Sequence, residues 1–250
     1  MNLFLNAAAR FALIVPALII GHAAQARIVV ESSRVIVPED AKDVSVRIEN
    51  AGKGSSLVQS WVSEYAARTG PDQSSSPFLV LPPVVRLDAG KGQVLRLRRV
   101  GGDLPQDRES VFTLNVADIP SAAPDAEGSS SVLNVIVRNR LKLFYRPKAI
   151  SKANPSDAIA GLHWSVVSNG AGWALQAKND SPFHVSTVRA AVKVAGREVE
   201  AQDVTMLKPM SIQQFALPGV TARPSAGEVQ FKYISEHGAA LERTMPLHTD

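Results

Sequence analysis

The 250-residue sequence contains no cysteine. Disulfides, thiolate metal centres and thiol nucleophiles are therefore excluded, and stability has to come from packed apolar cores. Histidine is scarce as well: His22, His163, His184, His237 and His248 show no metal-ligand spacing. There is no Gly-x-Ser-x-Gly elbow and no phosphate-binding glycine loop, and the carboxylates are scattered among turns. Nothing here supports an enzyme, and no metal or organic cofactor is expected. Aromatic residues make up 6% of the chain; Trp61, Trp164 and Trp173 all fall in strand-like stretches, where core packing is the expected role. The formal charge of +4 is small and mixed in sign, so it favours no charged partner. Arg96, Arg98 and Arg99 lie close together, but without interleaved aromatics they read as a solvated strand face, with no nucleic acid expected. Long apolar runs are nearly missing too. Phe11 to Ile20 is stopped by Gly21-His22, too short to span a membrane. With Arg10 before it and Ala24-Gln25-Ala26 after it, this segment reads as an export signal over residues 1–26, cleaved after about Ala26. The mature chain is expected to be exported and not membrane-embedded.

What remains is rich in turn residues, with 16 glycines and 16 prolines separating short alternating runs. Val44, Val46 and Ile48 alternate with Ser45, Arg47 and Glu49, the pattern of a half-buried strand. Leu95 and Leu97 alternate with Arg96 and Arg98 in the same way, and Pro82-Pro83 keeps Phe78 to Leu81 out of a central strand position. About seven such strands up to Pro147 suit an immunoglobulin-like sandwich. Lys148 to Asp157 reads as a linker, and seven shorter strand candidates follow it, from Leu162 to Met245. The expected fold class is all-β, with two immunoglobulin-like β-sandwich domains over 27–147 and 148–250 arranged around a cleft.

One stretch does not fit an ordinary sandwich easily. Val132 to Pro147 reads as a sixteen-residue strand, about three times the usual length. Leu133, Val135 and Val137 fall on one face, while Ile136, Arg138, Arg140 and Lys142 fall mostly on the other. It reads either as a central strand or as a strand whose surplus length is meant for another protein.

The segment Leu104 to Pro120, with Glu109-Ser110-Val111-Phe112-Thr113-Leu114-Asn115-Val116 at its centre, resembles the signature of the PapD-like periplasmic pilus-assembly chaperones. Ser33 to Pro38, Leu57 to Val62, Pro82-Pro83 with Arg86-Leu87, Leu141 to Pro147, Asn179 to Val185 and Lys208 to Ser211 are similar to other landmarks of that family. The resemblance implies a periplasmic chaperone that binds, folds and caps pilus (fimbrial) subunits by lending them a strand, then delivers them to an outer-membrane usher. Such strand lending is an established form of β-augmentation. By the same resemblance, Arg34 and Lys142 hold the subunit's C-terminal carboxylate, and Leu133, Val135 and Val137 are the lent side chains. Glu109, Arg146 and Glu236 match an interdomain ion-pair network, with Glu236 one methylene longer than the family's aspartate. The short Ser121–Ser131 connection resembles the short-loop branch. The long edge leaves self-association of the free protein open. An exported adhesive or carbohydrate-binding sandwich is the alternative reading.

Overall fold

The computed structural model describes residues 27–120, 135–170, 172–194, 197–224 and 227–248. The export-signal reading of 1–26, the connection at 121–131 and Leu133 lie outside the described residues. The first half contains β1 (Ile28–Val30), β2 (Arg34–Pro38), β3 (Val44–Asn50), β4 (Ser56–Glu64), β5 (Phe78–Leu81), β6 (Val84–Leu87), β7 (Gly92–Arg99), β8 (Ser110–Pro120) and β9 (Val137–Arg146). They form two sheets, ordered β1-β3-β7-β5 and β2-β9-β8-β4-β6. Alternation sets the core: Val46, Ile48, Leu95 and Leu97 from the first sheet meet Val58, Leu114, Leu143 and Tyr145 from the second.

Nine strands stand where about seven were expected, for two reasons. The first stretch bends at residues 31–33, so β1 joins one sheet and β2 the other. Pro82-Pro83 divides Phe78 to Leu87 into β5 and β6, each at the edge of a different sheet. Trp61 also departs from expectation. It is 7% exposed, but it lies on the opposite face of β4 from the core residues Val58 and Val62. The Arg138 guanidinium covers it, 4.7 Å from the ring.

The second half contains a short helix α1 (Pro155–Ala160) and seven strands: β10 (His163–Asn169), β11 (Gly172–Asn179), β12 (Thr187–Val194), β13 (Arg197–Glu200), β14 (Ser211–Leu217), β15 (Glu228–Ile234) and β16 (Ala240–His248). Their order is β13-β12-β15-β16-β10-β11-β14. The junction is β16, antiparallel to β15 up to Pro246 and then parallel to β10 at Leu247 and His248. Around this junction the strands close a second core, where Trp164 packs on Phe231 with ring centroids 5.2 Å apart.

The expected linker is partly ordered structure. Its Lys148–Ile150 portion is a 3-10 turn that buries Ile150. Asn154 then caps α1, its side chain accepting from the Ser156 N–H at 3.0 Å, with Pro155 in the first turn where its missing N–H costs nothing. Two strand readings also change. Val204 to Met206 is not a strand; next to it, Leu207 makes an isolated bridge with Val185. The four-residue strand β13 is too short and too charged to show alternation.

Candidate functional site: the interdomain cleft

The site starts from one pairing. β2 lies parallel to β9 with Arg34 opposite Lys142, Ile36 opposite Phe144 and Pro38 opposite Arg146. Because side chains alternate, Val35, Val37, Leu143 and Tyr145 enter the first core. Arg34, Ile36, Lys142, Phe144 and Arg146 therefore share the opposite face, and all but Lys142 line a cleft against the second domain.

Arg34 reaches across that cleft. Its Nη1 donates to the Ile234 carbonyl at 3.1 Å and to Ser186 Oγ at 3.4 Å, while its buried Nε has no partner. Burial lowers the Arg34 pKa, partly offset by the carboxylates of Glu236 and Glu109. Lys142 is paired through its backbone with β2 and β8, but its ammonium makes no hydrogen bond or ion pair with any described residue. Its pKa is lowered first by burial and then by the neighbouring Arg34 charge. Two partly buried cations side by side, each with spare donors, form an anion-demanding site.

Beside it lies a carboxylate hub. Glu109 is 3% exposed, and its Oε1 accepts from Arg146 Nε at 2.9 Å. Its Oε2 accepts from the His184 backbone N–H at 3.0 Å and lies 2.9 Å from His184 Nδ1. Arg146 Nη2 also donates to Glu236 Oε1, and its guanidinium packs on Phe183, 5.1 Å from the ring. Arg146 keeps a raised pKa: burial opposes its charge, but bonds to Glu236 and Glu109 outweigh it. Glu109, Arg146 and Glu236 thus meet across the domain boundary, and the longer Glu236 side chain still reaches.

The expected sixteen-residue strand is shorter. Among the described residues β9 begins at Val137, and Val135 and Ile136 lie outside any strand, each 60% exposed. The reason is a missing partner: the pairing with β8 stops at Val137 opposite Asp118. On its other side β9 is paired with β2 only from Lys142 to Arg146. The edge from Val137 to Leu141 is therefore unpaired by any described strand, and it runs directly into the Arg34–Lys142 pair. Val137 is 38% exposed at its start.

Sequence reasoning missed His184, Ser186 and the Ile234 carbonyl. The turn before His184 is legible: Asn179 Nδ2 donates to the Phe183 carbonyl at 2.8 Å and the Lys208 carbonyl at 2.9 Å, fixing the loop that presents the imidazole. No motif spacing joins residue 184 to residue 109, so the contact itself carries no sequence signal.

Two sandwiches meeting at a cationic cleft, with an open strand edge beside it, define a two-domain immunoglobulin-like protein. Comparison with known proteins narrows this class. Residues 27–151 match the N-terminal domain of the PapD pili and flagellar-assembly chaperones, and 157–245 match the C-terminal domain of the PapD pili-assembly chaperones. The chain is 37% identical over 220 residues to the probable fimbrial chaperone YadV of Escherichia coli K12, covering 87% of this chain and 88% of that one. The YadV crystal structure superimposes with a TM-score of 0.74 at 34% identity, over 89% of this chain and all of that chain. The SafB chaperone of Salmonella enterica, solved in complex with the SafA pilin, gives 0.69 at 27% identity, over 89% of this chain and 95% of that one. The chain belongs to the PapD-like family of fimbrial assembly chaperones.

Proposed function

We propose that this chaperone captures a pilus subunit by β-strand pairing along the open edge of β9, with the subunit's C-terminal carboxylate held by Arg34 and Lys142. The observation that carries this reading is the junction of the two features: the unpaired edge from Val137 to Leu141 ends at the cation pair. A guest strand whose carboxylate sits at Lys142 has to run parallel to β9, continuing the course of β2. The anchor fixes register, since a one-residue slip would turn every side chain to the wrong face. Leu133, Val135 and Val137 are the side chains offered to the guest, and Glu109, Arg146 and Glu236 hold the domains at the angle that forms the cleft. Each buried apolar side chain contributes about 1.5–3 kcal/mol and each main-chain bond about 0.5–1.5 kcal/mol, so sequence specificity can be loose.

In this reading the protein works in the periplasm after removal of residues 1–26 and passes its cargo to an outer-membrane usher. The unit that presents the cleft comprises 27–147, and 148–250 closes it. The deciding experiment is co-expression with a pilus subunit, followed by purification of the chaperone and quantification of the subunit retained. Arg34→Ala and Lys142→Ala are expected to remain folded by circular dichroism and to retain little subunit. Wild-type retention by both variants would reject the anchor.

A further inference from the structure

One turn of the second domain touches the first at three points, and two of them bear on Arg34. The β15–β16 ladder ends with Ile234 opposite Ala240, and Ser235 to Ala239 form the hairpin tip. The tip is held by its own bonds: the Ser235 N–H donates to the Ala239 carbonyl at 2.8 Å, the Gly238 N–H to the Ser235 carbonyl at 2.9 Å, and the Ala239 N–H to Ser235 Oγ at 3.1 Å. It therefore moves as a unit with Ile234. Glu236 makes the first contact, with Arg146. The Ile234 carbonyl makes the second, with Arg34 Nη1, and the Ile234 N–H donates to the Ser186 carbonyl at 2.9 Å. Both acceptors of Arg34 Nη1, the Ile234 carbonyl and Ser186 Oγ, thus belong to one tied pair of residues. The third contact is Gly238, seated against Ser33, the residue before Arg34. Its φ of +84° favours glycine, and a Cβ added there would fall inside the contact distance of Ser33 Oγ and 3.3 Å from Ser33 Cβ.

We infer that Gly238 is a positioning residue for the anchor: seated on Ser33, it sets how closely the hairpin tip docks beside β2, and so the aim of the Arg34 guanidinium at the guest carboxylate. This inference rests on the anchor reading above. A guanidinium is a rigid planar fork, so pinning Nη1 at one corner fixes the direction of the remaining N–H groups. Phe144 borders it on the β9 side, with Cζ 6.0 Å from the ring centroid. The Nη1 bond to Ile234 is 3.1 Å, near the long end of the range for N–H···O, and the one to Ser186 Oγ is 3.4 Å, so raising the tip by about 0.5 Å breaks both. A freed Arg34 side chain regains rotamers that the guest then has to freeze. The contact, and not the turn alone, demands glycine here. Asparagine tolerates a left-handed φ, but its side chain has Ser33 in its path.

The probe is a synthetic strand peptide of alternating apolar and polar residues, made with a free C-terminal carboxylate and with an amide, and titrated by fluorescence anisotropy at neutral pH. The readout is the ratio of the two Kd values, in which any general loss of stability or of strand pairing cancels. Gly238→Asn is expected to reduce the preference for the free acid about fivefold, the cost of ordering one rotamer-rich side chain on binding. Adding Ser33→Gly makes room for the asparagine and should restore the preference. His237→Ala, exposed on the same tip, should leave it unchanged. An unchanged ratio in Gly238→Asn overturns the assignment, as does a reduced ratio that Ser33→Gly fails to restore or that His237→Ala reproduces. Should Gly238→Asn fold poorly, Gly238→Ala with the same Ser33→Gly partner decides by the same criteria. Arg34→Ala separates the two readings. If wild type prefers neither peptide, or if Arg34→Ala keeps the wild-type preference, the anchor itself is wrong; if Arg34→Ala loses the preference and Gly238→Asn keeps it, only the role of Gly238 fails.

Discussion

A double-mutant cycle between Arg34 and the guest carboxylate tests the anchor most directly. Arg34→Ala removes the guanidinium, and replacing the peptide's terminal carboxylate with an amide removes the charge it is meant to hold. Arg34 also donates to the Ile234 carbonyl and Ser186 Oγ, so the substitution alone loosens the domain contact. That loss is common to both peptides and cancels in the cycle. What remains is the pairwise term, one charge-assisted bond of about 1.5–3 kcal/mol through the unpartnered Nε or a spare Nη proton. Because Arg34 is only partly buried, solvent screening puts the expected coupling at the lower end, near 1.5 kcal/mol or about tenfold in Kd. Wild type should prefer acid to amide by at least that factor, and Arg34→Ala should show a preference reduced by about tenfold. The assay is the peptide titration at neutral pH, with the fold of each variant checked by thermal melting. Strictly additive losses would show that guanidinium and carboxylate do not meet.

Four further outcomes follow from the same geometry. Val135→Asp should leave the melting temperature nearly unchanged, because Val135 is 60% exposed in the free protein, yet cut subunit retention at least tenfold by sending a charge into an apolar groove. Arg138→Ala in the same pull-down should retain subunit normally and lose only the stacking over Trp61, about 0.5–1 kcal/mol of stability in denaturant titration. Arg146→Met should cost about 3–5 kcal/mol by denaturant unfolding, since Glu109 stays buried without its cation, and adding Glu109→Gln should recover part of the loss. For Lys142, folding lowers the pKa, so its charged form opposes folding; Lys142→Met is expected to raise the melting temperature at neutral pH while weakening free-acid peptide binding. The bound carboxylate pulls that pKa back up, so wild-type affinity should be level at neutral pH and fall as the pH rises through the free-state value, at a pH below the ordinary lysine value of 10.5. An affinity flat up to 10.5 would refute the coupling.

Much of this fold was legible because alternation is a local signal. Val44–Ile48 and Leu95–Leu97 announce their buried faces, and Pro82-Pro83 announces an edge. What was not legible depends on partners distant in sequence. Trp61 is buried because Arg138, 77 positions away, lies across it on the outer face of the sheet, a contact that hydrophobicity cannot foretell. The length of β9 was overestimated for a related reason: β-propensity continues upstream of Val137, but a strand exists only where a neighbour supplies hydrogen bonds, and β8 supplies none beyond Asp118. In the cleft, the resemblance named Arg34, Lys142, Glu109, Arg146 and Glu236. It gave no role to His184 or to the Ile234 carbonyl, because one depends on a loop conformation set by Asn179 and the other is a backbone atom available at any residue type.

On the anchor reading, the free chaperone carries a cost that its cargo removes. Arg146 has two carboxylates, Glu109 and Glu236, and is satisfied. Arg34 has only a carbonyl and a hydroxyl, and Lys142 has no partner among the described residues. A fold selected for stability alone would place an acid between them, as it does for Arg146. Supplying that acid internally would, however, compete with the guest's carboxylate and abolish the gain on binding. On the anchor reading, the penalty of holding two like charges close together in the free protein is part of the binding energy, released when the guest neutralises them. The same reasoning forbids a repair. Introducing an aspartate at Ser186, whose hydroxyl already reaches Arg34, should stabilise the free protein and weaken capture of a free carboxylate together, and a variant that gained stability without losing affinity would show that the unpaired cations are not the anchor.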